Sequence, residues 1–419
     1  MNGALARTLP AMTAVQAMVA MGTFALSVLA PQLGVEVQAL GWLGSVLFGV
    51  GALSSLAAGW SIRRFGDLQL AGLCMLAVLL AMLCLAVDAM GLTRLIGLNV
   101  TGWSLWPAVV LLGLAFGPET PASVSALARV TPLAQRPWVF SMRQTGNQIG
   151  AVIGSISLPL LFLHDAAAPF WLVAALSSCV GLWCVRLAAK TPAPAMATMP
   201  LTTATAVPTA SLPANGTASP RHGATGLREL ANSRPLQRLT VAIVVFMAAQ
   251  VCLNFFAMSH AVRHWQLPPT TAAAWVAWMQ GAGLIGRLLW GYVAQRPGVA
   301  TGRLLGGLGL LMGAAGLPLF LWPGTPPTVV LASLLGVLGL SASGWNGVMM
   351  AEIARIAGAA RAGAVAGAVL MFGYSGLALA PLCFAAMGSA IGTSATFVAL
   401  TAAAGAMGLY LLLSVRRDR

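Results

Sequence analysis

Charge is what this chain has least of: Asp, Glu, Lys and Arg make up only 7% of its 419 residues, against 59% hydrophobic ones. So few ionic side chains cannot cover a soluble surface of that size, so the chain belongs in lipid. Acidic residues are the scarcest, 8 against 22 basic ones, and Lys190 is the only lysine. In a soluble protein a net charge of +14 would suggest nucleic acid. Here most arginines sit in short turns between apolar spans, where they report topology. The aromatic-basic interleaving that grips single strands is missing, so no nucleic-acid partner is expected.

Paired cysteine motifs are missing too. Cys74, Cys84, Cys179, Cys184, Cys252 and Cys383 all fall inside apolar stretches, without CxxC spacing or a histidine cluster. They read as inert small hydrophobes, and no metal is expected. No P-loop, Ser-His-Asp constellation or metalloprotease helix occurs, so a primary pump or membrane enzyme has no support and no cofactor is expected. The first apolar stretch, from about Ala11 to Leu33, is long enough to span and too long for a cleaved signal's core.

Hydrophobic runs, by contrast, are abundant. A spanning helix needs roughly 20 mainly apolar residues, and about twelve such stretches can be placed, near 11–33, 39–60, 69–89, 103–128, 137–163 and 170–189, then 239–261, 271–294, 303–323, 328–353, 363–387 and 393–414. The chain is thus expected to be an all-α membrane protein of two six-helix bundles, 1–190 and 237–419. Residues 191–236 read as a flexible cytoplasmic linker, rich in Pro, Thr and Ala, with a short amphipathic piece around Leu227–Leu236. Placing both termini in the cytoplasm puts nearly all turn arginines inside and leaves only Arg94 and Arg263 outside. That asymmetry, with the Ala-, Gly- and Arg-rich composition, suggests a bacterial inner-membrane protein.

Two turns repeat one pattern. Gly59-Trp60-Ser61-Ile62-Arg63-Arg64-Phe65-Gly66 and Gly291-Tyr292-Val293-Ala294-Gln295-Arg296-Pro297-Gly298 each follow the second span of their half. A second echo links Leu112-Gly113-Leu114 through Ala128-Arg129 in span four with Leu338-Gly339-Leu340 through Ala354-Arg355 in span ten. Parallel repeats place a solute path at their interface. Over essentially its whole length the chain resembles the major facilitator superfamily, whose loop signature Gly-x-x-x-Asp-Arg-x-Gly stands at these two turns. The resemblance implies two bundles around a central cavity lined by spans 1, 4, 7 and 10, with alternating access by rocking. Both copies depart from the signature, because Arg63 and Gln295 replace its carboxylate. Gating charge must then be arranged differently, through Asp67 or Glu352.

Glu119, in Gly117-Pro118-Glu119-Thr120-Pro121, lies about 15 Å into the membrane from Arg129 at 1.5 Å per residue. A carboxylate left ionised and unpaired there costs several kcal/mol. It reads as a proton- or solute-linked group, or as half of a structural ion pair. Arg143 is its natural counterpart, about 10 Å in from Arg136. A planar, permanently charged guanidinium suits a carboxylate. Arg143 therefore reads as an anion ligand, a gating partner of Glu119, or a side chain snorkelling to the inner surface. Around it, Ser141, Gln144, Thr145, Asn147 and Gln148 make span five the most polar, and Gly146, Gly150 and Gly154 share one face for close packing.

The second half offers amides and aromatics. Gln250 and Asn254 share a face of span seven, Trp345-Asn346 pair an apolar wall with an amide in span ten, and Gln280 and Tyr374 complete the set. Each lines a cavity or bonds between helices. Arg287 and Glu352, toward the inner ends of spans eight and ten, read as a gate or structural network. His260 and His264, one turn apart, read as interface residues. The expected function is secondary transport of a small organic anion with protons, by a monomer. The alternatives are an exporter of apolar or cationic compounds and a non-transporting membrane sensor.

Overall fold

The computed structural model describes residues 3–91, 102–132, 135–190, 220–358 and 361–417. Arg94, most of the stretch read as linker and the last two residues lie outside them. Among the described residues the chain folds into thirteen helices and no strands. They are α1 (Gly3–Leu29), α2 (Val37–Phe65), α3 (Asp67–Ala89), α4 (Leu105–Val130), α5 (Arg136–Phe162), α6 (Ala168–Lys190), α7 (Pro220–Asn232), α8 (Arg234–Arg263), α9 (Pro269–Ala294), α10 (Thr301–Leu321), α11 (Thr328–Ala357), α12 (Ala362–Ile391) and α13 (Thr393–Arg417).

Eleven of them are long and apolar enough to cross a membrane. The other long helix is α9, 26 residues that carry Gln280, Arg287 and three tryptophans, which lower its hydropathy. It is packed against α11 and α5 rather than left to lipid. Helix α7 is the short amphipathic piece, lying a few residues earlier than expected. Because α8 starts at Arg234 behind Ser233, the last residues of the expected linker already belong to a spanning helix.

The repeated turns show why glycine closes each motif. Gly66 has φ +87° between α2 and α3, and Gly298 has φ +85° between α9 and α10. Any side chain there would be strained. Packing repeats as well. In the first half α1 packs on α5, α2 on α4, and α3 on α4 and α6. In the second, α8 packs on α12, α9 on α11, and α10 on α11 and α13. Each pair has its counterpart six spans on, which is the geometry of a parallel repeat.

Small residues bring the backbones together, since lipid offers no hydrophobic drive between helices. Gly150 on α5 sits against the backbone of Ala17 on α1, and Gly339 on α11 against that of Met279 on α9. A Cβ at Gly150 would collide with main chain that cannot move aside. Gly150→Ala should therefore destabilise the protein by about 1–3 kcal/mol, as overpacking does. Gly49→Ala, where a Cβ meets open space within α2, should be neutral or raise stability by up to about 1 kcal/mol. Thermal melting in detergent separates the two.

The halves meet through α2 with α12 and α5 with α9. Away from the arginine-rich end, Gly41 and Gly44 of α2 press on Pro381 of α12. There the Leu382 N–H donates to Ser45 Oγ (3.1 Å), and Arg263 donates to the carbonyl of Val35 (2.7 Å). Phe255 of α8 contacts Phe24 and Phe48 edge-on, at 6.2 and 5.6 Å between centroids. At the arginine-rich end α7 lies against α12, with Arg361 bonded to Glu229 at 2.7 Å.

Candidate functional site

Helix α4 continues unbroken through Pro118 and Pro121, and between them Glu119 is 3% exposed. From α5, Arg143, 0% exposed, donates through Nη2 to Glu119 Oε1 at 2.5 Å and to Thr120 Oγ1 at 3.2 Å. Ser123 and Thr120 each donate a hydroxyl to the carboxylate at 3.0 Å. Similar depth on antiparallel neighbours, bridged by the long arginine side chain, has become contact. The carboxylate is well satisfied; the guanidinium is not, because its Nε and Nη1 are buried without a partner. Such unpaired donors are costly in a low-dielectric interior. Since no surface of Arg143 is open and its charge is neutralised, a solute cannot reach it in this conformation. Burial also rules out snorkelling.

A second cluster lies midway along the helices. Gln148 of α5 donates through Nε2 to Gln280 Oε1 of α9 (3.1 Å) and to Ser343 Oγ of α11 (3.3 Å). Gln280 in turn donates to Asn254 Oδ1 of α8 at 2.9 Å, and Asn147 donates to Gln148 Oε1 at 2.8 Å. This belt of neutral donors and acceptors joins the two halves. Alongside it Asn346 bonds Gln250 Oε1 at 3.3 Å, and in the first half Gln16 bonds Gln144 at 3.4 Å. Gln148, Gln16 and Ser343 stand outside the expected set. The polarity of span five pointed to Gln148, whereas a serine in an Ala- and Gly-rich span gives no signal.

Trp345 corrects its expected place. It is 0% exposed and packs on Phe246 of α8, with ring centroids 5.7 Å apart. The flat wall read from the sequence is thus packed within the second half, and the adjacent Asn346 bonds Gln250 of the same half. Tyr374 is half-buried against the apolar core.

A buried carboxylate stands beside each of the two turns. Asp67, first residue of α3, is buried and accepts from Arg129 at the end of α4, from Ser125 Oγ (3.2 Å) and from the Leu68 N–H (2.7 Å). Glu352 of α11 is gripped bidentately by Arg355 at 2.7 Å and bonded by Thr301, first residue of α10. Both clusters tie the helix after a glycine turn to the arginine-bearing end of the next one. Within the turns Gly59 and Gly291 are half-buried, and Arg63, Arg64, Gln295 and Arg296 are exposed. Arg296 lies over the Tyr292 ring at 4.8 Å and donates to its hydroxyl at 3.0 Å. At the opposite end His260 stacks on His264 (4.8 Å) inside a ring of Trp265, Phe320 and Phe397.

Two matched bundles of spanning helices, joined by a polar belt midway, with a buried ion pair inside the first, define a multi-pass membrane transporter fold. The sequence profile of the Major Facilitator Superfamily matches residues 10–381, and the chain belongs to that family. No curated protein matches it at the sequence level. Among solved structures it is similar to a bacterial homolog of the human lysosomal transporter Spinster in an inward-facing, unoccupied conformation, at 15% identity and TM-score 0.68, covering 100% of this chain and 99% of that one. A nucleoside transporter matches at 13% identity and TM-score 0.70, over 98% of this chain and 99% of the other. A peptide transporter solved with sulfate matches at 16% and 0.69, over 98% and 94%. At these identities the likeness is one of fold.

Proposed function

We propose that the protein is a secondary transporter that moves a small organic anion together with protons. Glu119 is the proton-carrying group and Arg143 the charge that holds it. The observation that carries this reading is the buried Glu119–Arg143 pair with two guanidinium nitrogens left over. A carboxylate deep in a spanning helix is costly even when paired, and such groups mark ion and proton pathways. Protonating Glu119 removes the counter-charge of Arg143 and leaves Thr120 as the remaining partner of Nη2, so the packing of α4 on α5 responds to the proton. The amide belt, bonded across both halves, lies where a solute would exchange protein hydrogen bonds for its own. Bundles 1–190 and 237–419 rock about it, tethered by 191–236, with termini and tether on the cytoplasmic face of a bacterial inner membrane. The two carboxylate clusters at the glycine turns hold the gate.

The test is reconstitution in liposomes with an internal pH dye. A carboxylate added outside should drive proton entry in step with its own uptake. Cation uptake coupled to proton exit would replace this reading with that of an exporter, and no flux with any solute would leave a sensor. A cysteine placed in the tether should stay unlabelled by an impermeant reagent outside intact cells; labelling would overturn the orientation.

A further inference from the structure

Among the described residues, every acidic side chain in the arginine-rich half is already engaged. Asp67 is held by Arg129, Glu119 by Arg143, Glu352 by Arg355 and Glu229 by Arg361. Glu36, Asp88 and Asp165 lie at the other ends of their helices. Arg287 is left over. It stands on α9, seven residues or about 10 Å from that helix's arginine-rich end. It is half-buried, forms no ion pair among the described residues, and its Nε is buried without a partner. An unneutralised guanidinium at that depth is expensive unless something of opposite charge comes to it.

The helix period fixes where it looks. Seven residues make two turns with a residual of about 20°, so Arg287 shares a stripe with Gln280. Gln280 faces Gln148 of the first half and Asn254 of α8. The flank of α9 toward α11 is occupied by other residues: Gly286 abuts the Leu340 backbone, and Trp290 donates to the Leu340 carbonyl at 3.0 Å. Arg287 therefore looks into the junction between the halves, on the arginine-rich side of the amide belt. Arg143, by contrast, is closed off and neutralised.

We propose that Arg287 receives the carboxylate of the transported solute, while Gln280, Gln148 and Asn254 hold its other polar groups two turns deeper. This rests on the organic-anion reading above. The roughly 10 Å rise between Arg287 and Gln280, shortened by the reach of both side chains, fits a small acid bearing a hydroxyl or second carboxyl. The planar fork of arginine would grip one carboxylate bidentately.

The test is a thermal-shift titration of the purified full-length protein with acetate, lactate, succinate and benzoate, and with tetraphenylphosphonium as a cationic probe. At least one carboxylate should stabilise the wild type and the Arg186→Gln control, in which an exposed arginine is removed. Arg287→Gln should fold with an unchanged or higher melting temperature, having lost an unpaired charge, and should lose the carboxylate shift. Arg287→Lys, which keeps the charge without the fork, should weaken carboxylate binding at least tenfold and carries the test alone if Arg287→Gln fails to fold. A wild-type shift in Arg287→Gln, or unchanged affinity in Arg287→Lys, would overturn this assignment and leave the anion reading standing. A wild type that responds to no carboxylate would overturn both.

Discussion

Replacing either member of the Glu119–Arg143 pair alone should lower stability by about 3–5 kcal/mol, the cost of leaving one buried charge uncompensated. The double Glu119→Gln, Arg143→Gln variant should recover most of that loss, because two neutral amides can bond each other and Ser123 and Thr120 remain as partners. Denaturant unfolding of the four proteins gives the coupling energy directly. Function should not recover in parallel. With no carboxylate to protonate, the double variant should exchange solute across liposomes but fail to accumulate it against a gradient under a proton-motive force. Full proton-driven accumulation in the double variant would reduce the pair to a brace.

Gly41→Leu is expected to leave the fold intact and stop the transport cycle. Its side chain would enter the contact of α2 with Pro381 and Ala385 of α12, where even a Cβ has no room. Overpacking of this kind costs about 1–3 kcal/mol, and only the form with that end closed carries the cost. The ratio of open to closed forms should shift roughly five- to 150-fold. On a cysteine-free background, Phe255→Cys, which places a thiol where the halves meet, should be labelled slowly by an impermeant reagent. Adding Gly41→Leu should speed that labelling and depress uptake. Unchanged labelling with normal uptake would show that this contact does not close the path.

These two expectations draw on the sequence to different extents. Glu119 and Arg143 could be paired from the sequence because depth is additive along a helix. Counting from Arg129 and Arg136 at 1.5 Å per residue put them about 15 and 10 Å into adjacent antiparallel spans, within reach of a long arginine side chain. The press of α2 on α12 could not be foreseen, since nothing along the chain ties Gly41 to Pro381.

The sequence by itself determined the spans, the duplicated glycine turns, the uneven distribution of arginine and the depth of each polar group. All of these are local: hydropathy over about 20 residues marks a span, and a positive φ demands glycine at Gly66 and Gly298 whatever surrounds them. Only the tertiary structure decided which way each helix turns. In lipid the outer face of a helix is as apolar as its inner one, so no amphipathic stripe marks the buried side. That is why Trp345 could be taken for a wall when it is core, why Ser343 escaped notice, and why Arg143 and Arg287, at equal depth in their helices, meet opposite fates. One turns into the first bundle against Glu119. The other shares the stripe of Gln280 toward the junction between the halves, and no carboxylate among the described residues pairs with it.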